Sequence, residues 1–434
     1  MSKKNCISPK HLQNTTTSQK TLLFLSYGGA HPYLLLPIIK AMKNKGYKVK
    51  IASFTSGIQI YKKFGYQVIS AKDITTKDDF RILKYGKILY QDLVKSQQNI
   101  FDIEETIAYL GLSFNDYVDN IGDFQIAYDQ YKKLGRSEFL PLTLIKRIFK
   151  LTCPDMLITT NSPRAEKAAI QYASSVNIPS LQITDLFCNY ERYQLNATAI
   201  CVANKVARNN LINNYSVDSE RIYITGSPDF DKFIHLRTQL SKNKISIVRK
   251  KIGLEGGQKY LFWNDQKTII TGTSKKTFER NTMISLKNLS SLVKIVNQMN
   301  YKLIVKCHSS QNAEEFLNWC NKNNAIFANN AQLSDYLLIS DIVVGMSSTV
   351  LINAYNLGKP IILLNQTLEE SFLPILNYKG VKEIESLSQL NKAINYLKNI
   401  GEISDSIGDG NSVVKISKLI DKIIKLPKPN LERY

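Results

Sequence analysis

Residues 301–366 decide the reading of this chain: YKLIVKCHSSQ (301–311), a middle section, then SDIVVGMSSTVLINAYNLGKPIILLNQ (340–366). Three short apolar runs, 303–305, 342–344 and 361–364, are too short for helices and too continuous for strands open to water on one face. They read as strands of a parallel sheet buried on both sides. Lys306 and His308 follow the first run, and Gly345, Ser347, Ser348 and Thr349 follow the second. The carboxyl ends of strands are where an open α/β sheet presents its ligand site. Residues 349–357 fit a helix that Gly358-Lys359-Pro360 stops before the next strand. Hydroxyls and free backbone N–H groups at such a helix start suit a phosphate.

Working outward, a chain of 434 residues exceeds one ordinary core and suits two domains. No run approaches the ~18–20 apolar residues of a membrane span. Residues 1–20 are polar and read as a disordered tail without the apolar segment of a signal peptide. The six cysteines show no CxxC pair and no metal-ligand spacing, which fits reduced thiols in a cytoplasm. The formal charge of +21 is spread along the chain as lysines, without the aromatic–basic interleaving of a nucleic-acid surface. It fits an anionic substrate and peripheral contact with the anionic inner face of a membrane.

Residues 21–27 (TLLFLSY) form a first buried strand, 28–32 (GGAHP) a tight loop, 33–45 a helix and 48–54 the next strand. This is the opening of a doubly wound domain. Gly28 and Gly29 let backbone approach a ligand, yet the loop is not GxGxxG, so no dinucleotide fingerprint is present. Residues 67–70 suggest a third strand, and 72–150 switch to helical periodicity, a helical insertion. The α/β rhythm returns with strands at 155–160, 179–184, 199–203 and 221–225, ending at Asn161, Asp185, Asn204 and Gly226-Ser227. Asn161 or Ser162 is expected to cap the helix after the first of these. The charged stretch 241–257 suits a domain boundary. Residues 260–263 (YLFW) open the second half, ending in Asn264-Asp265-Gln266, with a helix near 283–299. The terminal stretch 413–426 alternates apolar and lysine positions at helical spacing and is expected to pack back across the domains. The expected boundaries are 1–20 for the tail, 21–240 for an acceptor-side Rossmann-like domain, 258–410 for a nucleotide-sugar domain and 411–434 for the returning helix.

Four segments together resemble the GT-B glycosyltransferases: GGAHPYLLLPIIKAM, ANKVARNNLINNYSVDSERIYITGSPDFD, KLIVKCHSS and SDIVVGMSSTVLINAYNLGKPIILL. The resemblance implies two Rossmann-like doubly wound domains facing a cleft. It further implies a bacterial glycosyltransferase of surface-polysaccharide assembly, capsule or lipopolysaccharide, that moves a sugar from a nucleotide to a glycan or lipid-linked acceptor. His308 with its downstream Ser-Ser-Thr is also similar to sialyltransferases, Kdo transferases and glycerophosphotransferases, whose donors are cytidine nucleotides. The donor is therefore expected to be UDP- or CMP-linked, with no cofactor. Asn353 stands where many nucleotide-sugar enzymes carry a ribose-binding Glu; its amide still hydrogen-bonds a hydroxyl.

Sugar transfer needs a base for the acceptor and positive charge or donors for the departing phosphate. His31 is the expected base, with Asp185 orienting it, acting as base itself or holding an acceptor hydroxyl; Gly28 and Gly29 line the acceptor side. Lys306, His308, Ser347, Ser348, Thr349 and Asn353 are expected on the donor, with Gly226, Ser227, Asp265 and Gln266 beside them. No DxD-like pair stands at a strand end, so the expected reaction is metal-independent. The competing expectations are a nucleotide-sugar 2-epimerase of the same fold, a CDP-glycerol-type phosphotransferase and a non-catalytic nucleotide-sugar-binding protein.

Overall fold

The computed structural model describes residues 19–95, 102–185, 187–188, 196–254, 256–266, 275–308, 311–329, 332–346, 348–365, 375 and 378–425. The first half contains β1 (Thr21–Ser26), α1 (His31–Asn44), β2 (Lys48–Ser53), α2 (Ser56–Lys63), α3 (Phe80–Lys95), α4 (Ile103–Ile121), α5 (Phe124–Leu134), α6 (Leu142–Thr152), β3 (Met156–Thr159), α7 (Ala165–Ser175), β4 (Ser180–Ile183), β5 (Ala199–Val202), α8 (Lys205–Tyr215) and β6 (Ile222–Ile224). Helix α9 (Pro228–Thr238) and α10 (Lys242–Lys251) lead to the second half. That half comprises β7 (Lys259–Asn264), α11 (Lys275–Gln298), β8 (Tyr301–Lys306), α12 (Ala313–Lys322), β9 (Ile326–Phe327), α13 (Leu333–Ile339), β10 (Ile342–Gly345), α14 (Thr349–Asn356), β11 (Ile361–Leu364), β12 (Val381–Ile384) and α15 (Leu390–Lys398), followed by the terminal α16 (Ser412–Ile423).

Each half holds one six-stranded sheet, ordered β2-β1-β3-β4-β5-β6 and β12-β11-β10-β7-β8-β9, and every pairing is parallel. The second has the order of a dinucleotide-binding sheet, reversing direction between β7 and β10. The first reverses between β1 and β3. The third strand expected at 67–70 shrinks to one parallel bridge, Ala52 to Ile69. There Ser70 is held by Asp73 through both its N–H and its hydroxyl, at 2.8 and 2.6 Å, which turns the chain away from the sheet.

Why the strand runs are continuous in apolar residues is now plain. Leu22 and Phe24 of β1 face a core shared with α1, while Leu23 and Leu25 face the core under the insertion. In β7, Leu261 and Trp263 face one side and Tyr260 and Phe262 the other. Period-two side chains thus meet apolar neighbours on both faces.

The insertion is the bundle α3–α6, and its aromatic richness is spent internally: Phe114 meets Tyr85, Phe124, Tyr131 and Phe139 at ring-centroid distances of 5.6 to 6.0 Å. Within the stretch 241–257, α10 spans Lys242–Lys251, and its cap Ser241 accepts from the Lys244 N–H at 3.1 Å. The terminal α16 returns to the first half, laying Ile416, Leu419, Ile420 and Ile423 into the core under α1. Lys45 and Tyr47 both bond Asp421 there. No helix among the described residues is long and apolar enough to cross a membrane.

Candidate active site

At the carboxyl edge of the first sheet, Tyr27-Gly28-Gly29-Ala30 follows β1 and turns straight into α1. Gly28 packs where a Cβ would lie 2.7 Å from Ser56 Oγ, and Gly29 adopts a φ of +63°, a left-handed backbone that favours glycine. Its N–H donates to Ser56 Oγ at 3.3 Å. His31 is the first residue of α1, with its N–H donating to the Gly28 carbonyl at 3.4 Å and its buried Nδ1 unpartnered.

Asp185 stands at the end of β4, two strands away. Its carboxylate accepts from Asn161 Nδ2 at 2.9 Å, and its N–H donates to Asn161 Oδ1 at 3.3 Å. This two-way lock joins the edges of β3 and β4. It also corrects two expectations. Asn161 does not cap the following helix, which begins at Ala165 with no side-chain cap, because its amide is committed to Asp185. Nor is Asp185 hydrogen-bonded to His31: its side-chain partner is Asn161.

In the second sheet the reversal between β7 and β10 pairs Asn264 with Gly345. A Cβ at Gly345 would lie 3.2 Å from both the Asn264 carbonyl oxygen and Leu351 Cδ2, so glycine lets this strand end pack closely against β7 and α14. Asn264 is buried with Oδ1 unpartnered. Beside it, Asp265 accepts from Trp263 Nε1 at 2.9 Å and Gln311 Nε2 at 2.6 Å, and its N–H donates to the Lys306 carbonyl at 2.8 Å. Burial raises the Asp265 carboxyl above its ordinary range, against the lowering effect of these hydrogen bonds. Burial also lowers the Lys306 ammonium, whose Nζ donates to the Cys307 carbonyl at 3.2 Å.

His308, expected on the donor, carries an exposed side chain. Its backbone is fixed by Gln311, whose Oε1 accepts from the His308 N–H at 2.6 Å. Gln311, which sequence reasoning passed over, therefore ties the ends of β7 and β8 together; its only signal was a polar residue inside a strand–helix turn. Ser348 caps α14, accepting from the Val350 N–H at 3.3 Å, and Thr349 opens that helix. Asn353, one turn on, is buried with Oδ1 unpartnered. Ser347 lies outside the described residues. Gly226 (φ +84°) and buried Ser227 sit at the crossover into α9, where Gly226 faces Ser412. Gln266 is half-buried next to Asp265.

Two six-stranded parallel sheets with flanking helices, each with glycine at its reversal point, define two Rossmann-like domains of the GT-B kind, facing a cleft. The family of UDP-N-acetylglucosamine 2-epimerase matches residues 194–421; the chain belongs to that family. Solved structures agree on the fold. The Neisseria meningitidis UDP-GlcNAc 2-epimerase bound to UDP-GlcNAc is similar with a TM-score of 0.58 at 13% identity, over 93% of this chain and 100% of that one. S. aureus MnaA with UDP gives 0.59 at 13% identity, over 96% and 100%. The Methanocaldococcus jannaschii UDP-GlcNAc 2-epimerase gives 0.56 at 11%, over 93% and 99%. No curated protein matches in sequence. The glycosyltransferase expected from the motifs is thereby corrected: the matching family and the Neisseria and Methanocaldococcus neighbours are UDP-GlcNAc 2-epimerases. The donor-side segments reflect a fold that both chemistries use.

Proposed function

We propose that this protein binds a UDP-linked 2-acetamido sugar in the interdomain cleft and inverts its C2 centre. The observation that carries the reading is the family match over 194–421, which takes in both the Asp265–Gln311 network and the paired strand ends at Asn264 and Gly345. Inverting C2 requires the C2–H bond to break. With UDP as leaving group on C1, a base removes that proton as the C1–O bond breaks, giving an unsaturated sugar and UDP. Returning the proton to the opposite face and re-forming the C1–O bond completes the exchange, with no net oxidant or reductant.

The first domain supplies the proton-transfer side. Asp185 is the base we assign, its carboxylate positioned by Asn161. The second domain holds the nucleotide: Lys306 and the α14 start at Ser348 and Thr349 face the diphosphate charge, and Asn353 Oδ1 accepts a ribose hydroxyl. No acceptor alcohol takes part, so an acceptor-side role for His31, Gly28 and Gly29 falls away. Their loop instead borders the sugar.

The test is incubation with UDP-N-acetylglucosamine in D2O, followed by proton NMR. The expected result is loss of the C2 proton signal together with appearance of the 2-epimer. Retention of the C2 proton while UDP still raises the melting temperature would overturn the epimerase assignment.

A further inference from the structure

Two guanidinium groups converge on Tyr27, at the point where the first sheet reverses direction. Arg164, in the turn after β3, lies over the Tyr27 ring at 4.9 Å from its centroid. Arg136, from the turn after α5 in the insertion, reaches the Tyr27 hydroxyl with Nη1 at 3.5 Å. Tyr109 of α4 packs its ring 5.1 Å from that of Tyr27, and its phenol feels Arg164, Glu166 and Arg136 together. Glu166 is buried and accepts the Tyr27 N–H at 2.6 Å.

Two donors of this cluster, Arg164 Nε and Tyr109 Oη, are buried without a partner; so is the acceptor Glu166 Oε2, which an anion does not satisfy. Neither guanidinium forms an ion pair among the described residues. Unsatisfied buried donors are rare in native proteins and call for a partner, and Tyr109 is only 1% exposed. A guanidinium's planar fork matches a carboxylate. Counting Arg136, Arg164 and Glu166, the cluster carries a net charge of +1, which balances a monoanion better than a phosphate dianion. The nucleotide diphosphate is met by the other domain, so this charge is available to a different part of the ligand.

We infer that Arg136, Arg164 and the Tyr109 hydroxyl form a carboxylate subsite, so that the sugar this protein takes carries an acid group, as a uronic acid does. The inference deepens the nucleotide-sugar reading and rests on it. Arg136 and Arg164 are binding residues here, with no part in proton transfer.

Isothermal titration of the full-length protein tests this with three probes: UDP, UDP-N-acetylglucosamine and its 6-carboxylate counterpart. The expected result is that the uronate binds about tenfold or more tighter than the neutral sugar, the worth of one charge-assisted pair. Arg136→Gln and Arg164→Gln should each erase that preference and leave UDP affinity unchanged. Arg136→Gln alters a partly exposed turn and so keeps the test independent of folding at Arg164. Equal binding of the two sugars by the natural protein, or parallel loss of both sugars and UDP in the variants, would overturn the subsite. If UDP itself fails to bind, the nucleotide-sugar reading falls, and sodium glucuronate then judges the subsite alone. Saturable binding that Arg164→Gln removes upholds it, and absence of saturable binding sinks it.

Discussion

The carboxylate of Asp231 and the start of the terminal helix at Ser412 are locked together across 181 residues. Oδ2 accepts the Ser412 N–H at 2.9 Å and the Ser412 hydroxyl at 2.6 Å, all buried. The lock sits where α9 leaves the first domain and α16 returns to it, with Gly226 against Ser412. Asn356 adds a second tie, its Oδ1 accepting the buried Ile407 N–H at 2.7 Å. Buried polar groups therefore tie α9 to the start of α16 and the end of α14 to the segment that leads into it.

Asp231→Ala leaves a buried N–H and hydroxyl without an acceptor. The expected cost is about 2–3 kcal/mol, read as a lower denaturation midpoint. Asp231→Asn keeps one acceptor oxygen and should cost less. Equal midpoints for Asp231→Ala and the natural chain would mean that the crossover is held by apolar packing alone.

The insertion depends on two glycines in a similar way. Helices α3 and α4 cross so closely that a Cβ on Gly86 would lie 2.0 Å from the Ile107 carbonyl oxygen, and one on Gly111 2.2 Å from that of Ile82. Alanine gains about 1 kcal/mol of helix propensity over glycine, but the helices must move apart to admit it. Overpacking of this kind costs about 1–3 kcal/mol, so each Gly→Ala change should destabilise. Urea denaturation measures the sign, and a stabilised Gly111→Ala variant would refute the close crossing.

How far the sequence carried the reading follows from these particulars. Continuous apolar runs gave β1, β7, β8, β10 and β11 directly, because both their faces are buried. The edge strand β12, with Lys382 and Glu383 exposed between Val381 and Ile384, has no such run. The insertion's helical period was legible, but its crossing at Gly86 and Gly111 depends on which helices meet, which no local pattern states. Asn161 looked like a cap because capping and strand-edge pairing use the same side-chain amide. The chemistry was misjudged for a different reason: the segments after β8 and β10 report the nucleotide-sugar fold, and both transferases and epimerases are built on it. The Arg136–Arg164 convergence joins an insertion turn to a sheet edge and leaves no motif in the chain.

Glu105 gives a pH-dependent stability. It is fully buried at the start of α4, accepting the Lys72 N–H at 3.0 Å, and burial pushes its carboxyl from 4.5 up to about 7. The folded state therefore keeps a proton that the unfolded chain releases. This contribution is fully present below about 4.5 and is lost as pH rises through about 7, a change of about 3 kcal/mol. Glu105→Gln, uncharged at every pH, should match the natural protein near the acid end and exceed it at pH about 8. Denaturation midpoints at the two pH values check this, and parallel pH profiles for the two proteins would contradict it.

Asp185 and Asn161 supply the most direct check on the chemistry. If Asp185 moves the C2 proton, Asp185→Asn removes the base and leaves the nucleotide contacts of the second domain intact. The expected loss in kcat is about 10²–10⁴-fold, with UDP affinity unchanged. Asn161→Ala removes only the amide that aims the carboxylate. It should lower kcat by a smaller factor, on the order of tenfold, because the base is misplaced but still present. The ordering matters more than either value: a positioning residue cannot cost more than the group it positions. Should Asn161→Ala abolish C2 exchange while Asp185→Asn retains it, the base lies elsewhere on the sheet edge, and Asp185 serves only to hold Asn161 in place.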